Sequence, residues 1–274
     1  MKETLAGMDF AEVERILLDF IRVEIGRSGL SSAILGLSGG LDSSLVAYLG
    51  AKALGADKLT GIAMPYKSSS PESLAHARLV AELTGIALIE QEITATVDPY
   101  FADKPEASSL RRGNKMARER MSVLYDRSAE LGALVLGTSN RSEICLGYGT
   151  AFGDLACAVN PIGALYKTEV RLLSRRMGVP AEIVDKAPSA DLWAGQSDEE
   201  ELGFTYEKVD PLLHLMFDRN LSREDLLAGG WEAELVDRVA ELYSRNEFKR
   251  HMPLIAGVPR DEGAPGSSGT QGQG

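Results

Sequence analysis

Near the amino end, Ser38-Gly39-Gly40-Leu41-Asp42-Ser43-Ser44 combine residue types that suit an anion. Paired glycines let a backbone curl and approach a ligand closely, while serine hydroxyls and the N–H groups of a helix start donate to phosphate oxygens. The run lacks the lysine of GxxxxGK[ST] and the third glycine of GxGxxG, so it is neither a Walker A loop nor a dinucleotide fingerprint. Asp42 is the discordant member. A carboxylate among phosphate donors repels the ligand unless a hard cation lies between them, which points to Mg²⁺ bridging Asp42 and a nucleotide. A Gly-Gly turn capped by Asp or Ser is the plain structural alternative.

The surrounding pattern supplies what such a loop needs. Ser32 to Leu37 is a short apolar run that reads as a buried strand, and Ser43 to Leu54 reads as a buried helix ended by Gly55. The alternation continues: Leu59 to Met64 is strand-like, Ser70-Pro71-Glu72 opens a helix, and Ile86 to Ile89 is another strand. Residues 98 to 109, with Pro99 and Pro105, read as a loop before a long helix from Leu110 to Glu130. Leu134 to Leu136 is the next strand. Helical spacing predicts further helices over Asp9 to Ile25, Lys167 to Met177, Tyr206 to Phe217 and Trp231 to Phe248. Gly147 to Gly163 is Gly-rich, without clear period and too long for a plain connector, so a functional site is expected there. Strands alternating with helices predict an α/β chain with a doubly wound parallel sheet.

Composition removes several classes. The 274 residues carry 40 acidic against 29 basic side chains, for a net charge of −11, a surface that on average repels phosphate backbones and anionic membranes. Neither nucleic acid nor membrane is an expected partner. Cys145 and Cys157 have no CxxC spacing, which excludes a zinc ribbon and a disulfide scaffold, and His76, His214 and His251 share no ligand spacing. No apolar signal core follows Met1 and no run could span a bilayer, so a cytoplasmic protein is expected. One domain over residues 1–260 and a mobile Gly-rich tail over 261–274 complete the expected organisation.

The loop resembles the SGGxDS signature of PP-loop ATP pyrophosphatases, the group that includes NAD, GMP and asparagine synthetases. Later segments narrow the resemblance. Gly137-Thr138-Ser139-Asn140-Arg141-Ser142-Glu143, followed by Gly147-Tyr148-Gly149-Thr150 and Gly153-Asp154, resembles the GTxNxSE…GYxTxxGD stretch of NAD synthetases. Pro161 to Val170, Pro188 to Leu192 and Gln196 to Glu199 are similar to that family's next signatures, in order. The resemblance, from about Phe10 to Val258, implies a Rossmann-like, adenine nucleotide alpha hydrolase-like fold. It also implies ATP-dependent amidation of deamido-NAD to NAD through an adenylated carboxylate attacked by ammonia, releasing AMP and pyrophosphate.

Carried over by position, the resemblance gives ATP the residues Gly36, Leu37, Ser38, Gly39, Gly40, Leu41, Asp42, Ser43, Thr138, Lys167 and Ser189. It gives Mg²⁺ the ligands Asp42 and Glu143, and deamido-NAD the contacts Arg118 and Lys249. Asp42, Lys167 and Asp154 become the catalytic group, with Asp154 orienting the acceptor carboxylate or a metal. Without the family pattern, Glu143 would read as a solvated helix acid, Lys167 as a helix-start lysine, Arg118 as part of a solvated basic face, and Gln196 to Leu202 as a solvated run. In the family that last region resembles a loop closing on the site. The family further implies a homodimer, in which the amphipathic first helix could serve as an interface. Ala151, Ala158 and Phe248 replace the polar Lys, Asp and His of many ammonia-dependent members, and there the chain looks more like the synthetase part of glutamine-dependent ones. Free ammonia or a separate glutaminase chain would then supply nitrogen. The competing readings are another PP-loop enzyme, tRNA-modifying or GMP-synthetase-like, and a nucleotide-binding regulator without turnover.

Overall fold

The strands β1 (Ser32–Gly36), β2 (Leu59–Ala63), β3 (Ala87–Glu90) and β4 (Ala133–Leu136) pair in parallel in the order β3-β2-β1-β4. In register, Ala33 lies opposite Leu59 and Leu35 opposite Leu136. Alternate residues face different cores: Ala33, Leu35, Leu59 and Leu136 join one, while Ile34, Ile62 and Val135 join the other. Burial of both faces is why these strands read as continuous apolar runs rather than as alternating ones. This computed structural model describes residues 7–189, 193, 196–251 and 255–256.

Helices cover both faces. On the first lie α1 (Phe10–Arg27), α2 (Leu41–Leu54) and α3 (Pro71–Thr84); on the second lie α4 (Thr94–Phe101) and α5 (Ser109–Leu131). After β4 come α6 (Arg141–Leu146), α7 (Lys167–Met177), which returns to the first face, and the short α8 (Ala181–Val184). The remaining helices are α9 (Asp198–Leu202), α10 (Tyr206–Leu213) running into a π-helical turn at His214–Asp218, α11 (Arg223–Ala228) and α12 (Ala233–Arg245). They build a third core around Tyr206, Leu212, Val236 and Val239, joined by Leu146 and Tyr166. Among the described residues no helix is long and apolar enough to cross a membrane.

The doubly wound sheet is as expected from the alternation. The chain winds from β1 outward to β3, then returns to place β4 on the other side of β1, so the turns after β1 and β4 emerge side by side at the switch point. Where a loop was expected over 98 to 109, α4 reaches Phe101 with Pro99 inside it. Val97 and Phe101 are buried in the second core, and that burial outweighs the hydrogen bond a proline removes. On α1, Leu17, Leu18, Ile21 and Ile25 pack on the chain's own core, while Ile16, Phe20 and Val23 are exposed. The expected domain end at 260 and the 261–274 tail lie outside the described residues.

Candidate active site

The turn after β1 becomes the N-terminus of α2 at Gly40, which offers no side-chain cap, so the N–H groups of that first turn keep the exposed dipole that suits an anion. Hydroxyls crowd the same bend: Ser38 Oγ and Ser43 Oγ are 3.0 Å apart, and Ser44 Oγ donates to the Gly40 carbonyl at 2.7 Å. The glycines have different tasks. Gly39 has φ +77°, and a Cβ there would sit 2.1 Å from the Ser73 carbonyl oxygen of α3. Its lack of a side chain therefore serves close packing, not ligand approach alone. At Gly40 a Cβ would meet only Ser38 Oγ, at 3.4 Å.

The turn after β4 brings the second half of the site. Asn140 caps α6 by accepting from the Glu143 N–H at 3.0 Å, and its Nδ2 donates to Asp42 Oδ1 at 2.9 Å. Lys167, the first residue of α7, reaches both acids: Nζ lies 2.5 Å from Asp42 Oδ2 and 3.1 Å from Glu143 Oε1. The lysine is 5% exposed and the two carboxylates 17% and 16%, so the charges interact with little solvent between them. Burial pushes the Glu143 carboxyl up to about 8; Lys167 opposes the rise, and Asp42 and Asp198 add to it. Burial works against the Lys167 ammonium, yet Asp42 and Glu143 outweigh it and hold the group above its ordinary value.

The one ammonium balances Asp42, and burial holds a proton on Glu143 that a cation would replace. Two hard oxygen donors beside a phosphate-type loop are the set Mg²⁺ uses when substrate phosphates complete its shell. The donor chemistry therefore fits the ion that the loop implies. No larger cluster of metal-ligating side chains occurs among the described residues.

Every residue assigned above to ATP, metal or deamido-NAD lines one cavity of about 750 Å³, except Gly39 and Arg118. Arg118 is exposed on α5, where its Nε donates to the Ala151 carbonyl at 3.2 Å. Lys249 is at the cavity but engaged with backbone, donating to the carbonyls of Gly147 and Gly149 at 2.7 and 2.9 Å, and burial lowers its pKa. Asp154 accepts from the Thr150 N–H at 3.0 Å, and burial raises its carboxyl above the usual range. Ser189 lines the cavity; the neighbouring signature residues 190–192 lie outside the described set.

Sequence reasoning passed over several members. Asn140 ties the two turns together, and its Asn-x-x-Glu capping box was the available signal. Arg120 lines the cavity and donates to the Met64 carbonyl at 3.0 Å. Tyr148 Oη lies 3.0 Å from Asp198 Oδ1 and 2.9 Å from Glu201 Oε2, which draws the acidic run of α9 to the cavity. Asp198 is 4% exposed, so that run is not merely a solvated one.

A phosphate loop at the switch point of a parallel sheet, faced by a buried lysine and two carboxylates, defines a PP-loop ATP-dependent enzyme. The NAD synthase family model matches residues 13–253. The chain belongs to the NAD synthase family, whose members are ligases forming a carbon–nitrogen bond. It is 54% identical over 91% of its length, and 90% of the relative's, to an NH(3)-dependent NAD(+) synthetase of Chlorobaculum parvum. That relative is named as ammonia-dependent, in agreement with the amidation by ammonia that the resemblance implied. Among solved structures, an NMN synthetase from Francisella tularensis superposes with a TM-score of 0.81 at 28% identity, covering 92% of this chain and 100% of that one. An NH3-dependent NAD synthetase from Campylobacter jejuni, in complex with nitrate, gives 0.79 at 34% identity, covering 91% and 100%.

Proposed function

We propose that the chain amidates deamido-NAD to NAD with ATP and free ammonia. The nicotinate carboxylate attacks the α phosphorus of ATP, the bond to the β phosphate breaks, and pyrophosphate leaves. Ammonia then attacks the acyl carbon, AMP departs with its bridging oxygen, and a proton is lost to give the amide. The observation that carries this reading is the contact of Lys167 with both Asp42 and Glu143 beside the Ser38–Ser43 bend.

The residues divide the work. The first-turn N–H groups of α2 and the hydroxyls of Ser38 and Ser43 hold phosphate oxygens, and Thr138 and Ser189 hold the rest of ATP. Lys167 places a permanent positive charge where the leaving pyrophosphate gains charge. Asp42 and Glu143 would hold Mg²⁺, which supplies further neutralisation of the phosphate charge. Asp154 orients the acceptor carboxylate, and Arg118 and Lys249 grip the dinucleotide. The cavity walls keep water from the acyl-adenylate, so ammonia is the nucleophile that reaches it. The chain works as a cytoplasmic homodimer, an assembly supported by Ile16, Phe20 and Val23, which α1 leaves exposed beside its buried stripe.

A second reading takes the mononucleotide as acceptor. It is supported by the likeness to an NMN synthetase and by the position of Arg118 outside the cavity lining. Purified chain with ATP, Mg²⁺ and ammonium is tested against each acceptor. NAD, AMP and pyrophosphate in equal amounts from deamido-NAD are expected. Product from the mononucleotide alone supports the second reading, and ATP binding without turnover supports a regulator.

A further inference from the structure

Asp210, on α10, is fully buried and does not line the cavity. Its carboxylate nevertheless joins the two elements that present Lys167 and Glu143. Oδ1 accepts from Ser142 Oγ at 2.6 Å; Oδ2 accepts from the Thr168 N–H at 2.9 Å and from Thr168 Oγ1 at 2.8 Å. Ser142 Oγ in turn accepts from the Lys167 N–H at 2.9 Å. Ser142 directly precedes Glu143, and Thr168 directly follows Lys167. One side chain thus ties both backbone positions from which the ionic group projects.

Local sequence does not do this by itself. Residue Tyr166, at the start of α7, gives no side-chain cap, so the first N–H groups of that helix take their partners from Ser142 and Asp210. Helix α6 has only 6 residues, too few to hold a fixed direction without help from its neighbours. Burying a carboxylate is expensive unless it is fully hydrogen-bonded, and an apolar residue would fill the same space more cheaply. Three donors on one carboxylate, aligned with the start of α7, give a stiff and directional joint in return.

We propose that Asp210 is a positioning residue for the reaction, fixing the separation and orientation of Lys167 and Glu143 by tying the first turns of α6 and α7 to α10. The inference rests on the roles given to those residues above. Asp210→Asn keeps the shape but replaces one acceptor oxygen with an amide that cannot accept. It is expected to lower kcat/KM by about 10- to 100-fold, after correction for the folded fraction.

The decisive measurement is a double-mutant cycle on Mg-ATP affinity, read by calorimetry. Lys167→Ala should weaken binding in the wild-type background and weaken it several-fold less in the Asp210→Asn background. Independent, multiplicative losses, or an unchanged Asp210→Asn enzyme, overturn the inference. If Asp210→Asn does not fold, Ser142→Ala removes the hydroxyl that joins Asp210 to α6 and to the Lys167 N–H, while Thr168 keeps both of its bonds to Asp210; lost turnover in the folded variant upholds the joint, and full turnover overturns it. Absence of NAD formation by the wild-type chain would count against the proposed reaction instead.

Discussion

Lys167 and Asp42 stand 125 positions apart in the chain and meet at 2.5 Å. The ammonium lies against both Asp42 and Glu143, so a divalent ion joining those carboxylates must share them with it or displace it. Asp42→Asn tests this arrangement with little change of shape. Glu143 still pairs with Lys167 in that variant, so the loss of stability stays below the ~3–5 kcal/mol of an unpaired buried charge. Turnover should fall by about 100-fold or more as metal-dependent adenylation is lost, since preorganised charge at a phosphate of this kind contributes several kcal/mol. Undiminished NAD formation by a folded Asp42→Asn enzyme would remove the metal role.

Glu143 gives the site a pH dependence whose sign is fixed. Its folded-state pKa is pushed up to about 8, above the ordinary 4.5, chiefly through burial. Between those values the folded chain binds more protons than the unfolded chain, so this contribution to stability is full at low pH and disappears as pH rises through the folded value. Glu143→Gln should therefore be progressively more stable than wild type as pH goes from about 5 to about 8 without metal, and metal binding should release a proton. Melting curves in chelator, with Mg-ATP titrations in two buffers of different ionisation heat, check both. A constant difference between the two proteins across that range would refute the assignment.

The two loop glycines separate fold from function. Gly39→Ala requires a side chain at φ +77° and a Cβ 2.1 Å from a backbone oxygen, which the flanking helix α3 must move to admit. A loss of at least about 2 kcal/mol is expected, seen as a lowered melting temperature. Gly40→Ala meets only Ser38 Oγ at an ordinary 3.4 Å and should fold normally. Its methyl group would then crowd the phosphates, so ATP affinity falls by about 10-fold or more while the melting temperature holds. Equal melting temperatures for both variants would contradict the division of tasks.

Much of this site was legible because PP-loop chemistry is local: the Ser38 to Ser44 run and the strand before it carry both the bend and the donors. The parallel sheet was legible for a related reason, since strands buried on both faces read as apolar runs between helical periods. What was not legible depends on partners distant in sequence. Pro99 reads as a helix breaker until Val97 and Phe101 are seen in a core. Asp198 reads as a solvated acid until Tyr148 is found 3.0 Å away, and Asp210 reads as one more helix acid until Ser142 and Thr168 converge on it. Lys249 reads as a ligand contact, and its second engagement, with the carbonyls of Gly147 and Gly149, depends on partners about 100 positions away.

That engagement makes Lys249 and Arg118 separable by experiment. The Lys249 ammonium holds the carbonyls of Gly147 and Gly149, and nearby Asn246 donates to the Leu146 carbonyl at 3.2 Å, so the segment before the C-terminus fixes the Gly-rich stretch. Lys249→Met leaves two carbonyls without that donor. A loss of about 1–3 kcal/mol is expected, or roughly 2–8 °C in melting temperature, alongside a raised KM for deamido-NAD. Arg118 is exposed and its Nε donates to the Ala151 carbonyl, so Arg118→Ala should leave the melting temperature within about 1 °C, since surface changes rarely exceed ~0.5 kcal/mol. If Arg118 reaches the dinucleotide, that variant raises the KM for deamido-NAD and leaves the KM for ATP and the kcat near wild type, the pattern of lost uniform binding. An Arg118→Ala enzyme with an unaltered KM for both substrates would take the arginine out of the site, and would leave the cavity itself as the whole of the acceptor's grip.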